Sequence, residues 1–78
     1  MKMQELIVCI AKSLVDQPDD VKVTLTEEDD TVTVELAVAP EDLGKVIGKQ
    51  GRTARAMRSL LSAAAAKFDK RSRLEIIE

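Results

Sequence analysis

Residues 43–52 read Leu43-Gly44-Lys45-Val46-Ile47-Gly48-Lys49-Gln50-Gly51-Arg52 and contain all three glycines of the chain. A P-loop requires four residues between its glycines and then Lys-Ser/Thr, whereas only three separate Gly44 from Gly48, and Gln50 follows Lys49. The dinucleotide fingerprint G-x-G-x-x-G fails at its first spacing. The sequence therefore predicts neither a mononucleotide-binding nor a dinucleotide-binding enzyme.

The pair Gly48 and Gly51 predicts a four-residue turn between two helices, because glycines avoid Cβ clashes in such a turn. The same lack of side chains lets an extended nucleic-acid backbone approach closely, and the N–H groups that begin the second helix favour a phosphate. Four cations flank the turn: Lys45, Lys49, Arg52 and Arg55. We interpret this as a candidate phosphate site. The alternative is an ordinary corner between helices with solvated lysines.

Hydrophobic periodicity around the turn predicts the order helix, strand, strand, helix, helix, strand in a single domain, residues 1–78. The first helix carries Met3, Leu6, Ile7, Ile10 and Leu14 on one face and ends before Pro18. Alternating residues predict a hairpin over 21–38 with its turn at Glu27–Asp30. Pro40 begins a short helix.

The long helix is predicted from about Arg52 to Phe68, and residues 73–77 form the last strand. The side of the long helix that is predicted to face the core, which we call its inner stripe, carries Ala54, Met57, Leu61, Ala64 and Phe68. The residues between this stripe and the cations are small or apolar: Ala56, Leu60 and Ala63. We predict a homodimer through that face. The alternative is that the alanines 63–66 reflect helix propensity alone.

Charge divides the chain, whose overall net charge is −2. Residues 1–44 carry a net charge of −8 and residues 45–73 a net charge of +8. Such asymmetry indicates an anionic partner. A solvated helix face balanced by an acidic hairpin is the competing interpretation.

Composition excludes several classes of protein. The 78 residues include no His, one Cys and one aromatic residue. Nucleophilic catalysis that needs His, a Cys/His zinc site and aromatic base-stacking platforms are therefore excluded. We therefore expect that the protein is not an enzyme and that it binds no cofactor and no metal. We interpret Cys9 as a half-buried apolar residue. With no signal peptide and no apolar run of about 20 residues, a cytoplasmic location is expected.

The segment Val46–Arg52 between two helices closely resembles the signature of KH domains. The element order resembles type II, the prokaryotic KH fold, an α+β architecture with a three-stranded sheet packed on one side by three helices. The resemblance to the small stand-alone KH proteins of the KhpA family covers the chain, through residues 14–19, 38–52 and 74–77.

This resemblance implies a probable RNA chaperone that acts with a larger KhpB/Jag-type partner, linked to cell shape, cell elongation and peptidoglycan homeostasis. The KH binding mode implies a backbone clamp for single-stranded RNA at Gly48, Lys49, Gln50 and Gly51. Ile47 matches the apolar position beneath the bases, Lys45, Arg52 and Arg55 flank the clamp, and strand 31–38 is expected to form the far wall of the groove. The acidic tip at residues 27–30 departs from the usual pattern. The alternative function is a protein-interaction adaptor with little RNA affinity.

Overall fold

The computed structural model describes residues 3–77. Three helices and three strands follow the predicted order: α1 (Met3–Leu14), β1 (Lys22–Glu28), β2 (Thr31–Ala37), α2 (Leu43–Ile47), α3 (Arg52–Ala66) and β3 (Arg71–Ile77). Single 3-10 turns at Pro18–Asp20 and Pro40–Asp42 precede β1 and α2. Within these residues no helix is both long and apolar enough to cross a membrane.

The sheet has the order β1-β2-β3, with β2 in the centre. The hairpin partners β1 and β2 are antiparallel, and Leu25 lies opposite Val34. Strand β3 pairs in parallel with β2, and Leu74 lies beside Val34. The predicted α+β architecture of a three-stranded sheet with helices packed on it is confirmed, because α1 contacts β1 and α3 contacts β3.

The core lies between one face of the sheet and the helices. The alternate β2 residues Val32, Val34 and Leu36 are fully buried. The helices contribute Ile7 and Ala11 from α1, Val46 from α2, and Met57 and Leu61 from α3. Burial of one large aliphatic side chain contributes roughly 1.5–3 kcal/mol, so these residues dominate the stability of a small domain.

The predicted inner stripe of α3 is correct for its first three residues and wrong at its end. Ala65 is fully buried, Ala64 is only half-buried, and Phe68 is 69% exposed. The helix ends at Ala66, and Asp69 adopts a left-handed φ of 58°. Lys70 N–H donates to Ala65 O and Asp69 N–H to Ala66 O, which is the Schellman pattern of helix termination. This turn carries Phe68 away from the core.

Smaller differences concern the other elements. Leu14 is 39% exposed, and Ala11 is the buried residue near the end of α1, because the helix ends where its last turn leaves the sheet. Cys9 is exposed, contrary to its expected half-burial. The hairpin turn shortens to residues 29–30, because β1 and β2 stay paired as far as Glu28 and Thr31. Strand β3 begins at Arg71, whose N–H donates to Asp30 O at 2.7 Å.

Asp42 links the end of α1 to the start of α2. Its side chain is 1% exposed and accepts hydrogen bonds from the backbone N–H groups of Asp16 (3.2 Å) and Gln17 (3.0 Å). The Lys45 ammonium lies 3.3 Å from Asp42 Oδ1 and also contacts the Asp16 carboxylate. A buried carboxylate is therefore fully paired, which a buried charge requires. The sequence predicts Asp42 only as an acidic residue at a helix start.

Burial by itself raises the pKa of Asp42, but the two backbone donors and Lys45 more than compensate and hold that pKa below its ordinary value of 3.8. A carboxyl group whose pKa is lower in the folded than in the unfolded state stabilises the fold at pH values above its unfolded-state pKa. This contribution is lost as the pH falls through the folded-state pKa.

We expect Asp42→Asn to lower the thermal midpoint at pH 7 by about 4–8 °C, because the amide group presents a donor to a site that holds only donors. The difference from wild type should shrink as the pH falls from 6 to 3. Thermal unfolding followed by circular dichroism across this range measures it. Asp19→Asn, at an exposed position, is the control and should leave the midpoint nearly unchanged. An Asp42→Asn deficit that stays constant with pH contradicts the assignment.

Candidate nucleic-acid interface

The turn between α2 and α3 depends on Gly48. Its N–H donates to Gly44 O at 2.9 Å, which closes the last turn of α2, and its φ is +79°. A Cβ at this position lies 2.7 Å from Thr53 Cβ and 2.9 Å from Thr53 N, which is too close for any real contact. Only glycine allows the backbone to come this near to the first turn of α3.

The next residues complete a compact reversal. Gln50 and Gly51 both adopt left-handed backbone conformations, with φ of 57° and 73°. No atom lies within 4 Å of a Cβ built on Gly51, so its φ alone favours glycine there. The Gly51 N–H donates to Gly48 O at 3.1 Å. Lys49 and Gln50 are thereby exposed at the tip of the loop.

Two arginines at the start of α3 hold this loop. Arg55 Nη2 donates to the Gln50 carbonyl oxygen, and Arg52 Nη2 donates to Gln50 Oε1, both at 3.2 Å. Each guanidinium carries five N–H donors and stays exposed, so each retains donors for an anion. The predicted cations Lys49, Arg52 and Arg55 therefore cluster at one loop.

Lys45 differs from the other predicted cations. Its ammonium is already paired with Asp16 and Asp42, and its side chain is 41% exposed. The hydrogen bond to Asp16 raises the pKa of Lys45; burial acts against this, and Asp42 adds to it. Lys45 therefore links α2 to α1, and its contact with a phosphate stays a prediction.

The groove beside the loop is bordered by a different strand from the one expected. Strand β2 is central and its helix-facing side chains are fully buried, so residues 31–38 cannot form an open wall. The edge strand β3 packs against α3 and takes this place. Ile47, at the end of α2, is 37% exposed beside the loop.

A cleft between α3 and β3 contains residues that the sequence did not single out. Its volume is about 370 Å³, and it is lined by Arg58 and Ser62 from α3 and by Ser72, Arg73 and Leu74 from β3. Arg58 and Arg73 belong to the basic half of the chain. The two arginines are 15 positions apart in the sequence, so no local pattern predicts that they line one cleft. They do so because α3 packs against β3.

The residues predicted for self-association lie on the side of α3 opposite Arg58, with Ala56 one helical turn after Arg52. Ala56, Leu60 and Ala63 are all exposed, and Leu60 is 47% exposed. A groove of about 750 Å³ adjoins this side of the helix. Its apolar lining consists of Met3, Leu25, Ala64 and Phe68, and its polar lining of Gln4, Glu5, Glu27 and Lys67. The exposed Phe68 thus extends the apolar surface beyond the predicted residues.

Comparison with known proteins agrees with this geometry. The family model described as "KhpA/KhpB, KH domain" matches residues 4–76. "RNA-binding protein KhpA" of Listeria monocytogenes is 55% identical over 76 residues, covering 97% of this chain and 100% of the relative. The protein of the same name from Clostridium acetobutylicum is 55% identical, covering 96% of this chain and 100% of the relative. The one from Aquifex aeolicus is 51% identical, covering 97% of this chain and 96% of the relative.

These relatives are named for binding and not for catalysis, in agreement with the expectation that the chain is not an enzyme. The family match spans nearly the whole chain, and identity above 50% extends along the relatives' full or nearly full length. The chain belongs to the KhpA/KhpB KH-domain family.

Proposed function

We propose that this protein binds single-stranded RNA through the loop Gly48–Gly51. The observation that carries this proposal is the loop itself, which presents Lys49 and Gln50 at the start of α3 with Arg52 and Arg55 beside them. The names of the curated relatives support RNA as the ligand.

The proposed binding mode follows from this geometry. The RNA backbone approaches the loop where Gly48 and Gly51 carry no side chains, and the start of α3 attracts a phosphate. Lys49, Arg52 and Arg55 neutralise neighbouring phosphates. Ile47 provides apolar surface for a base, and β3 borders the other side of the groove.

The wider role is proposed from the family. We infer a cytoplasmic RNA chaperone that acts with a KhpB/Jag-type partner in cell elongation, cell shape and peptidoglycan homeostasis. A protein-interaction adaptor with little RNA affinity is the competing function. It is favoured by the exposed apolar side of α3, whereas the cations around the loop favour RNA binding.

We expect Lys49→Asp with Gln50→Asp to lower RNA affinity at least tenfold, because two carboxylates then occupy the position proposed for phosphate. The free energy of unfolding should change by less than about 1 kcal/mol, since both side chains are exposed and Asp tolerates a left-handed φ. Fluorescence anisotropy with a labelled oligonucleotide and chemical denaturation measure the two quantities.

Lys22→Asp is the control for this variant. It reverses one exposed lysine charge on the edge strand β1, on the face of the sheet opposite the helices. Its RNA affinity should stay near that of wild type. An unchanged affinity in the folded loop variant would falsify the clamp assignment.

The proposed mode also predicts how salt and strandedness affect affinity. If about three phosphates are neutralised, the logarithm of the association constant should fall with the logarithm of salt concentration with a slope of roughly −2. A single domain that grips about four nucleotides should bind with a Kd near the micromolar range. Anisotropy titrations between 50 and 300 mM salt test this. Tighter binding to a duplex of the same sequence contradicts the proposal.

We further propose that the protein forms a symmetric homodimer through α3 at Ala56, Leu60 and Ala63. Exposed leucine beside alanines lets two helices approach closely, and a small domain gains stability by covering such a surface. Phe68 and its adjoining groove enlarge the apolar area that a second copy can cover. The same face is the proposed site for the KhpB-type partner, so the two assemblies compete.

Leu60→Lys should give a folded monomer, because it places a charge at the centre of this face. Its apparent RNA affinity should fall, since two clamps no longer act on one strand. Sedimentation at matched micromolar concentrations measures the assembly, and Thr24→Lys, at an exposed position on the outer face of the edge strand β1, is the charge-matched control. A monomeric wild type, or a Leu60→Lys variant that remains dimeric, contradicts this interface.

A further inference from the structure

The cleft between α3 and β3 is separate from the loop clamp. Its polar lining consists of two guanidinium groups, Arg58 and Arg73, and two hydroxyl groups, Ser62 and Ser72. Leu74, which is 7% exposed, contributes the apolar part of the lining. No carboxylate and no carboxamide lines the cleft, so the site is rich in hydrogen-bond donors.

This set of groups selects among the four bases. Arginine supplies five N–H donors and no acceptor, in a fork that matches two neighbouring acceptors. Guanine presents such a pair at O6 and N7, and arginine bound to these two atoms is the commonest specific base contact in nucleic-acid grooves. On the same edge, adenine presents one acceptor, N7, beside an amino donor, and cytosine presents an amino donor, so neither offers an arginine two neighbouring acceptors there.

One acceptor lies close to the cleft. The Glu75 carboxylate is 3.6 Å from Arg73 Nη2, and the two side chains are 45% and 67% exposed. An exposed pair of this kind contributes little to stability, and it occupies only part of the guanidinium. Arg73 therefore keeps donors for a base, while Arg58 has no ion pair among residues 3–77.

The cleft is within reach of a strand held at the loop. Arg58 follows Gly51 by seven residues of helix, which is about 10 Å along the axis of α3. Even at a compact spacing of about 3.4 Å per nucleotide, about three nucleotides cover this distance. That is within the four-nucleotide segment that a KH loop grips.

We propose that the cleft formed by Arg58, Ser62, Ser72, Arg73 and Leu74 recognises a guanine base, through O6 and N7, in the strand bound at Gly48–Gly51. This inference rests on the RNA binding proposed above and adds a base preference to it. The loop supplies affinity that is independent of sequence, and the cleft sets the register of the strand.

The test compares octauridylate with octamers that carry one central guanine, adenine or cytosine, by fluorescence anisotropy on the full chain. The guanine octamer should bind at least about fivefold more tightly than the adenine octamer, the low end for one bidentate contact. Inosine, which keeps O6 and N7, should retain this preference. 7-Deazaguanine, which lacks N7, should lose most of it.

Arg58→Lys with Arg73→Lys keeps both charges and removes the bidentate geometry. This variant should bind octauridylate like wild type and lose the preference for guanine. Arg71→Lys, on the same strand but outside the cleft, is the matched control and should keep it. Equal affinity for all octamers, or a guanine preference that survives the double substitution, overturns the inference while RNA binding stands. Failure to bind any octamer overturns both proposals.

Discussion

The contact between Gly48 and Thr53 is the constraint on which the site depends. Helix α2 has five residues and must give way at once to α3, and the two backbones can meet this closely only where a residue lacks Cβ. The positive φ of Gly48 and the left-handed Gln50 and Gly51 follow from that approach. Lys49 and Gln50 are exposed at the loop tip because the chain reverses there in so few residues.

A buried carboxylate fixes the position of this loop relative to the rest of the fold. Asp42 accepts backbone N–H groups from the segment after α1, and Lys45 completes the pairing from α2. Helix α2 is also anchored by Val46, which is buried in the core. The Asp42 interaction adds a long-range link, so that the loop is held by α1 as well as by α3.

Helix α3 carries arginines on the side toward β3 and apolar residues on the side near α1. Arg55 and Arg58 lie on the side that continues from the loop toward β3, whereas Leu60 and Ala64 lie on the side near α1. The RNA site and the homodimer interface proposed above therefore use different residues of the same helix. The acidic charge of residues 1–44 lies mainly in the turn after α1 and in the hairpin, whereas α1 itself carries only Glu5 and Lys12, and α3 carries three arginines and no acid.

Local patterns in the sequence determined the element order, the hairpin, the glycine loop and its nearby cations, because these depend on neighbours within a few residues. The end of α3 was misjudged at Phe68, since a Schellman turn at Asp69 outweighs an apolar spacing. Tertiary structure alone decided that β3 runs parallel to β2, that Asp42 is buried, and that Arg58 and Arg73 line one cleft. Each of these requires residues distant in sequence to come together, and periodicity within one element contains no information about which other element it packs against.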